Sequence, residues 1–408
     1  MPIRLRTFLI GGAAVVAIAV AVVVAVRLLE PEPEPCVPGD VDCPIPPPPC
    51  EQAGTRDLNP SNRPVAPRHD ADVAPEASGR RIPLGFNDAA PLVGQLSLEQ
   101  DLALYRGVGA TMWRFPLDWG RLQPAPDTLE LSEADERYCA AVEAGVAPVF
   151  ALTGIPSWAA GTFLECKVPC LRPPDEAQYP VLRRFAELLA IRYPRSAAIE
   201  AWNEPNLESY WRDGPDPARY VDVLREIYIG VKNGNPRMPV LGGALSNNPN
   251  DTNGNLSLLT FLEEMAANAA GDYMDAVSIH PYPTAPLDAE TEQFEPALDV
   301  TRSIAETVDD WPQRIWVTET GIATPPGAAF SPPVSEEVQA ATNLDIYERL
   351  DSASDVDAVL FHTLVEPDPA LIPAGTGWGW VGLPDDGLPP KLVYCAFAGL
   401  ADQQPEGC

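Results

Sequence analysis

Residues 198–206 read AIEAWNEPN, a short apolar run that ends in a cluster of polar side chains. Similar apolar runs, each followed by a polar loop and an amphipathic stretch, begin at intervals of 29 to 51 residues, which is typical of alternating strands and helices. Eight such units predict an α/β fold, a (β/α)8 TIM barrel, rather than an open doubly wound sheet. The expected strands are IPLGF from Ile82, TMWRF from Thr111, APVFAL from Ala147, AIEAW from Ala198, PVLGGAL from Pro239, DAVSIH from Asp275, RIWVTE from Arg314 and DAVLFH from Asp357.

A membrane-insertion signal is predicted at the start of the chain. Arg4 and Arg6 precede nineteen uncharged residues from Phe8 to Val26, close to the ~20 that span a bilayer as a helix. Because this run is long for a cleaved signal peptide and lacks a convincing cleavage site, residues 1–29 are expected to form a signal anchor rather than a signal peptide. Basic residues before the run place the rest of the chain outside. We therefore expect a cell-surface protein held in the membrane, or a secreted one if the segment is cleaved.

Residues 30–79 differ in composition, with thirteen prolines between Pro31 and Pro75 and few large apolar side chains. Such a segment cannot form a packed core and is typical of extended polyproline conformations. We predict a disordered stalk here, followed by the barrel at residues 80–408.

Charge and cysteine content restrict the function classes. With 27 Lys plus Arg against 58 Asp plus Glu, the 408-residue chain has a formal net charge of −31, which disfavours nucleic acid as a partner. Eight cysteines in an exported chain predict disulfides. Cys166 with Cys170 suits a local loop bridge, and Cys395 with Cys408 suits a bridge that pins the C-terminal tail, although spacing leaves other pairings open. Only three histidines are present, which disfavours zinc.

Polar side chains gather at the predicted strand ends, where barrels of this kind bind their ligands. Strand four ends in Asn203 and Glu204, and strand seven ends in Glu319. Two carboxylates that face each other across a barrel mouth can cleave an acetal, because one acid protonates the leaving oxygen while the other carboxylate attacks or activates water. Strand six ends in His280 and Tyr282, and strand two carries Arg114 within an otherwise apolar and aromatic run.

Each candidate also has a structural interpretation. An Asn-Glu-Pro sequence is common at a strand-to-loop turn, where the glutamate is merely solvated. Arg114 also suits a structural ion pair, and His280 suits a residue that only orients its neighbours. Glutamates at the ends of strands four and seven, in register with a His-x-Tyr at the end of strand six, favour a catalytic site. Five tryptophans after strands are candidate sugar platforms or ordinary loop packing: Trp119, Trp158, Trp211, Trp378 and Trp380.

WNEPN at 202–206 and VTETG at 317–321 resemble the strand ends of clan A glycoside hydrolases. WNEPN is most similar to the acid/base motif of glycoside hydrolase family 39, and the shorter Asn-Glu-Pro is shared with the family 5 cellulase-like enzymes. HPY at 280–282 and the tail GLPDDGLPPKLVYCAFAGL at 382–400 resemble the same group. The resemblance covers roughly residues 82 to 401 and leaves out the predicted anchor and stalk.

The resemblance implies a retaining glycoside hydrolase that acts on a β-linked oligo- or polysaccharide without a cofactor or metal. It implies that Glu204 is the general acid/base, that Glu319 is the nucleophile and that Asn203 binds the sugar 2-hydroxyl. Supporting roles are implied for three further residues, namely Arg114, His280 and Tyr282. The alternatives are a non-catalytic carbohydrate-binding barrel and a transglycosylase, and a monomer is expected in each case.

Strand eight departs from the family pattern, because VLFHTL offers His362 where many clan A enzymes have a tryptophan under the sugar. Either His362 contacts the sugar by hydrogen bonding, or the loop GTGWGW at 375–380 supplies Trp378 or Trp380 as the stacking surface. We favour the loop, since its glycines allow the backbone to fold back over the strand end.

Overall fold

Eight parallel strands close into one barrel in chain order, with the first strand paired to the last. The computed structural model describes residues 47–52, 81–87, 95–160, 170–285, 287, 293–325, 333–368, 377–382 and 387–408. The strands are β1 (Leu84–Asn87), β2 (Met112–Asp118), β3 (Ala147–Thr153), β4 (Ala198–Ala201), β5 (Val240–Ser246), β6 (Ala276–His280), β7 (Ile315–Val317) and β8 (Val356–Phe361). All eight predicted strands and the barrel are thus confirmed.

Helices follow the strands and form the outer layer. The α-helices are α1 (Pro49–Gln52), α2 (Leu98–Gly107), α3 (Trp119–Leu122), α4 (Ser132–Glu143), α5 (Tyr179–Arg192), α6 (Pro217–Gly234), α7 (Leu258–Ala267), α8 (Phe294–Thr307), α9 (Glu336–Ser352) and α10 (Leu392–Leu400). Short 3₁₀ turns lie at Ser157–Ala159, Glu176–Gln178 and Ala270–Tyr273.

Ser97 with Gln100 and Ser132 with Asp135 both resemble capping boxes in the sequence, and the structure forms only the first. The Ser97 hydroxyl caps α2 by accepting a hydrogen bond from the Gln100 amide. The Gln100 side-chain oxygen in turn accepts from the Ser97 amide, which completes a capping box. Ser132 with Asp135 resembles the same motif, but Ser132 is already the first residue of α4 and Leu131 stands before it without a side-chain cap. The Asp135 carboxylate instead accepts a 2.5 Å hydrogen bond from Arg192, because it faces the neighbouring helix.

The barrel strands are buried on both sides, as expected for a parallel sheet covered by helices. Side chains from several strands fill the interior near the strand starts, among them Met112, Leu241 and Trp316. This packed end leaves the opposite, carboxyl end of the barrel to hold polar side chains.

The described part of the predicted stalk is bound to the barrel. Cys50 in α1 forms a disulfide with Cys139 in α4. Glu51 accepts hydrogen bonds from the Tyr138 hydroxyl at 2.6 Å and from Arg195 Nε at 2.7 Å. Residues 47–52 are therefore held at the end of the barrel where the strands begin, while the rest of the predicted stalk lies outside the described residues.

Two of the cysteine predictions can be compared with the structure. The Cys395–Cys408 disulfide is confirmed and closes the C-terminal tail. Cys170 is disulfide-bonded, but its predicted partner Cys166 lies outside the described residues. The predicted membrane segment at 1–29 also lies outside them. Within the described part of the chain, no helix combines the length and apolar character needed to cross a membrane.

Candidate active site

Arg114 is the centre of the polar cluster at the carboxyl end of the barrel. It rises from β2 into the barrel and is only 3% exposed. Its Nε donates to Glu200 at 2.6 Å, Nη1 donates to Glu319 at 2.6 Å, and Nη2 donates to Asn203 at 2.6 Å. Burial alone would lower the pKa of Arg114, but the two carboxylates raise it, so the side chain is a fixed cation.

Glu319, directly after β7, is held by donors on both carboxylate oxygens. Oε1 accepts from Arg114 and from Asn87 Nδ2 at 2.8 Å, while Oε2 accepts from the Tyr282 hydroxyl at 2.9 Å. Burial opposes ionisation of this carboxyl, but the charges of His280 and Arg114 outweigh it and lower the pKa of Glu319 to about 2. Glu319 is therefore an oriented anion at neutral pH.

Glu204 faces the same opening from β4 on a backbone of unusual shape. Trp202 and Glu204 have φ values of 76° and 43°, in the left-handed region that side chains other than glycine rarely adopt. The Glu204 amide donates to the Ala244 carbonyl at 2.9 Å. Such strained positions cluster at functional sites, where neighbouring contacts hold them.

A bulge in β5 provides the acceptor that holds Glu204. The register of β5 with β6 shifts between Gly242 and Leu245, and Gly243 takes a φ of 118°. A Cβ on Gly243 would lie 2.6 Å from the Ser278 carbonyl oxygen, so only glycine fits. The Ser278 hydroxyl accepts from the Ala244 amide at 2.7 Å and fixes the bulge.

His280 lies between the two glutamates and is fully buried. Its Nδ1 is 3.0 Å from Glu204 Oε1 and 3.7 Å from Glu319 Oε2. One ligand atom from each of these three residues lies within 4.8 Å of the other two, a spacing that a metal ion could also bridge. Arg114 already neutralises Glu319 at 2.6 Å, which makes the cluster a poorer cation site than three free ligands would be.

Asn203 is oriented by Arg114. A guanidinium only donates hydrogen bonds, so the Asn203 carbonyl oxygen must be the atom that faces Nη2. The amide NH2 of Asn203 is thereby directed to other acceptors. Asn206, two residues beyond Glu204, accepts from the Ser246 amide and donates to the Ser246 carbonyl at 2.9 Å, which ties the loop after β4 to β5.

The structure brings Arg114, Asn203, Glu204, His280, Tyr282 and Glu319 together. His362, at the end of β8, joins them through Asn87, whose Nδ2 is 3.4 Å from His362 Nδ1. Trp378 reaches the cluster as a packing partner: its ring centroid is 5.1 Å from that of Tyr282 and 5.9 Å from that of His362. It is 2% exposed, which leaves little of the ring open to a ligand.

Trp380 is not at the site. It is 0% exposed and packs on Phe86, Phe361 and Phe397 beside β1 and β8. The expectation that Trp380 offers a surface to a sugar is corrected on this ground, since no face is free. Trp119 and Trp211 are likewise buried, Trp119 against Phe185.

Sequence reasoning missed three residues of the cluster. Asn87 is the last residue of β1, and inspection of that strand end by the same rule would have identified it. Glu200 lies within the apolar run of β4, where an acidic residue signals a buried partner. Tyr210 lies on the loop after β4, and the charge of Glu204, together with burial, raises its pKa, but nothing in its sequence context distinguishes it.

Glycoside hydrolases are among the solved structures with the same architecture. A family 39 glycoside hydrolase from Bacteroides cellulosilyticus WH2 superposes with a TM-score of 0.60 at 21% identity, covering 78% of this chain and 64% of that one. A monomeric β-xylosidase from Caulobacter crescentus CB15 gives 0.58 at 18% identity, covering 79% and 67%. A family 39 enzyme from Xanthomonas axonopodis pv. citri gives 0.60 at 17% identity, covering 85% and 72%.

These likenesses concern three-dimensional structure. No protein-family model and no curated protein matches the sequence. The chain spans about two thirds of the length of the first neighbour, 64%. The predicted resemblance to family 39 is thus confirmed for the fold, a barrel shared with glycoside hydrolases of that family.

Proposed function

We propose that this chain is a retaining glycoside hydrolase that cleaves a β-linked oligo- or polysaccharide, with Glu319 as nucleophile and Glu204 as general acid/base. The observation that carries the proposal is the unequal environment of two adjacent carboxylates. Glu319 accepts hydrogen bonds from Arg114, Asn87 and Tyr282. Within the described residues, the Glu204 carboxyl has one hydrogen-bond partner, His280 Nδ1 at 3.0 Å, and the same nitrogen also lies near Glu319.

The spacing of the carboxylates supports retention of configuration. Their nearest oxygens lie within 4.8 Å of each other. Retaining enzymes place the two carboxyl groups about 5 to 5.5 Å apart, whereas inverting enzymes need about 6.5 to 9.5 Å to admit a water. A gap of at most 4.8 Å between the nearest oxygens of Glu204 and Glu319 is closer to the retaining range, and it supports direct attack by Glu319.

In the first step, a Glu319 carboxylate oxygen attacks the anomeric carbon while the bond from that carbon to the leaving oxygen breaks. Glu204 gives its proton to the leaving oxygen, and a glycosyl ester of Glu319 remains. The three donors on Glu319 keep it ionised and aimed, so that attack needs no reorientation.

In the second step, Glu204 takes a proton from water as the water oxygen bonds to the anomeric carbon and the ester bond to Glu319 breaks. The products are a sugar with the original anomeric configuration and the free Glu319 carboxylate. Arg114 occupies the Asn203 carbonyl oxygen, which leaves the Asn203 amide NH2 as the donor that we propose for the sugar 2-hydroxyl. That bond strengthens in oxocarbenium-like transition states.

The setting of the enzyme is part of the proposal. The apolar run at 8–26 and the proline-rich segment support a cell-surface protein on a membrane anchor. The disulfides Cys50–Cys139 and Cys395–Cys408 support an oxidising exterior. We propose a monomer with a carbohydrate as its only substrate partner.

A mechanism-based label tests the proposal directly. The full chain is incubated with 2-deoxy-2-fluoro aryl β-glycosides, beginning with the xyloside because a structural neighbour is a β-xylosidase. Mass spectrometry of the digest is expected to find one added sugar on the peptide that contains Glu319. Turnover without any labelled glutamate across the panel overturns the retaining mechanism, and tight polysaccharide binding without turnover identifies a binding protein. If sugar acceptors compete with water in resolving the intermediate, the protein is a transglycosylase.

A further inference from the structure

A second network of buried polar groups lies behind the site and holds the turn that carries Trp378. The Glu366 carboxylate accepts backbone hydrogen bonds from both glycines that flank the tryptophan, from Gly377 and, at 3.1 Å, from Gly379. Lys391 Nζ donates to the same carboxylate at 2.9 Å. Glu366 and Lys391 side chains are each 14% exposed, so the pair is largely shielded from solvent.

The other side of the turn is held by the segment after β7. The Gly377 carbonyl accepts from the Thr324 amide at 2.7 Å and from the Thr324 hydroxyl at 3.0 Å. It also accepts from Gln339 Nε2 at 3.3 Å. Lys391 Nζ donates to the Thr324 hydroxyl at 3.1 Å. One ammonium group therefore contacts two of the three residues that hold Gly377, namely Glu366 on its amide side and Thr324 on its carbonyl side.

The backbone of this turn can take its shape only with glycine at both flanks. Gly377 has a φ of 92°, in the left-handed region. A Cβ on Gly379 would lie 2.3 Å from the Glu366 amide nitrogen, so the two backbones touch. A segment with two flexible glycines needs contacts with other segments to stay in one conformation. The Glu366 carboxylate, held by Lys391, provides two of these contacts.

Trp378 connects this turn to the nucleophile. Its ring packs edge-on against Tyr282 and tilted against His362. Tyr282 donates its hydroxyl to Glu319 at 2.9 Å. The position of the Tyr282 ring therefore depends on the indole behind it, and the position of the indole depends on the turn.

We propose that Lys391 and Glu366 are positioning residues, which clamp the Gly377–Gly379 turn so that Trp378 holds Tyr282 and His362 in place beside Glu319. This inference rests on the proposed function for its effect on turnover. Neither residue has a hydrogen bond or ion pair with Glu204 or Glu319 in the described part of the chain, and both act through Trp378. Loss of the clamp is expected to loosen the Trp378 ring and, through it, the Tyr282 hydroxyl that donates to Glu319.

The chain offers a matched control. Lys232 forms a similar ion pair with Asp275 at 2.6 Å, with side chains 21% and 19% exposed. That pair joins the end of α6 to the residue before β6, at the opposite end of the barrel from Glu319. Lys391→Met and Lys232→Met thus remove the same group from two largely buried pairs, only one of which supports Trp378.

The test combines two fluorine NMR probes with kinetics on the full chain. Protein labelled with 5-fluorotryptophan reports Trp378, and protein labelled with 3-fluorotyrosine reports Tyr282, with the signals assigned from Trp378→Phe and Tyr282→Phe. In Lys391→Met both signals are expected to shift or broaden, whereas in Lys232→Met both stay as in the native protein. On an aryl β-glycoside, Lys391→Met is expected to lose about 10- to 100-fold in kcat/KM with its thermal unfolding still cooperative, because small misplacements near reacting groups cost this much.

Two further variants, Lys391→Arg and Glu366→Gln, test whether the charge pair holds the turn. Lys391→Arg retains a cation for Glu366 and is expected to restore most of both signals and of kcat/KM. If Lys391→Met does not fold, Glu366→Gln serves in its place, since a carboxamide oxygen replaces only part of the acceptor set. Unchanged Trp378 and Tyr282 signals in the folded variant overturn the clamp. If the Trp378 and Tyr282 signals are disturbed while kcat/KM stays native, Lys391 and Glu366 have no positioning role in catalysis.

The same data separate this inference from the proposed function. If the native chain turns over no glycoside at all, the proposed function fails on that result. The fluorine signals of Trp378 and Tyr282 still decide whether Lys391 holds the turn, because they need no substrate.

Discussion

The two ends of the barrel use charged residues in opposite ways. At the carboxyl end, Arg114 and Glu200 are almost fully buried, at 3% and 0% exposure, and bind each other 2.6 Å apart. At the amino end, ion pairs such as Arg302–Asp355 keep about a third of each side chain in solvent, at 32% and 28%. Exposed pairs contribute little to stability, whereas buried charges are costly to desolvate and are held only by complete networks.

This difference indicates what each end is for. A protein selected only for stability has no need of an arginine and two glutamates in a barrel interior, since apolar side chains of similar volume often serve as well. The buried network keeps Glu319 ionised and directed at the opening. The amino end instead carries ion pairs outside the barrel interior, such as Arg302–Asp355 and Lys232–Asp275, and the Cys50–Cys139 disulfide.

The largest effect on turnover is expected from Glu319→Gln at the carboxyl end. The amide cannot form the glycosyl ester, so hydrolysis of aryl β-glycosides is expected to fall below detection, as measured by release of the aryl group. Azide added to the assay offers a small nucleophile, and rescue by azide would confirm that only the nucleophile is missing. Native turnover in Glu319→Gln would sink the assignment of the catalytic pair.

Glu204→Gln is expected to have the next largest effect, and one that depends on the substrate. General acid catalysis contributes about 10²- to 10⁴-fold. The full loss in kcat/KM is expected for substrates with poor leaving groups. For activated substrates such as dinitrophenyl glycosides, the first step needs little acid catalysis, so kcat/KM should stay near the native value. The measurement is kcat/KM across aryl glycosides of graded leaving-group pKa. Equal losses along the series would count against an acid role for Glu204.

Arg114→Met compared with Lys232→Met tests the contrast in stability between the two ends. Removal of Arg114 leaves Glu200 buried without its partner and is expected to cost about 3 to 5 kcal/mol in the free energy of unfolding. Removal of the partly exposed Lys232 is expected to cost about 1 kcal/mol or less. Urea unfolding of both variants measures the difference. Equal losses in the free energy of unfolding would show that charged residues at the two ends do not differ in their effect on stability.

A smaller, pH-dependent effect is expected from Tyr282→Phe. The folded pKa of Glu319, about 2, lies below its ordinary value of 4.5. Its contribution to stability is therefore present above about pH 4.5 and is lost as pH falls toward 2. Loss of the Tyr282 hydroxyl raises the pKa of Glu319, so the acid limb of kcat/KM should move to higher pH. Tyr347→Phe, which removes a bond to the Ile82 carbonyl, is the control. An acid limb that does not move relative to this control would show that Tyr282 does not support the anion.

Much of this contrast could be predicted from the sequence because local pattern determines it. Continuous apolar runs of the kind seen in RIWV and DAVLF are sufficient to place buried parallel strands. Strand order then brings Glu204 and Glu319 to the same end of the barrel. The polar ends of β4, β6 and β7 were therefore predictable before any contact was known.

Contacts that depend on packing between distant segments were not predictable. The glycine-rich run around Trp380 suggests a loop at the rim, yet Trp380 fills a gap between Phe86 and Phe397. Cys50 sits in a proline-rich stretch, and nothing near it indicates Cys139 as its partner. The packing of Trp380 and the pairing of Cys50 both depend on side chains that are far away in the chain. Local composition gives no information about such contacts.

The smallest effect on turnover is expected from breaking the Cys50–Cys139 disulfide at the amino end with the double variant Cys50→Ser/Cys139→Ser. The bridge joins residues 89 positions apart, and in the chain-entropy account it acts mainly by restricting the unfolded chain, so its loss is expected to cost about 2 to 4 kcal/mol. The folded site should be unaffected, because Glu51 remains bound to Arg195 and Tyr138 and none of these residues contacts the Arg114 network in the described residues. Thermal unfolding should therefore shift down while kcat and KM at 25 °C stay native. A fall in kcat at a temperature where the variant is fully folded would mean that the amino end communicates with the catalytic end, and the separation of the two ends would have to be abandoned.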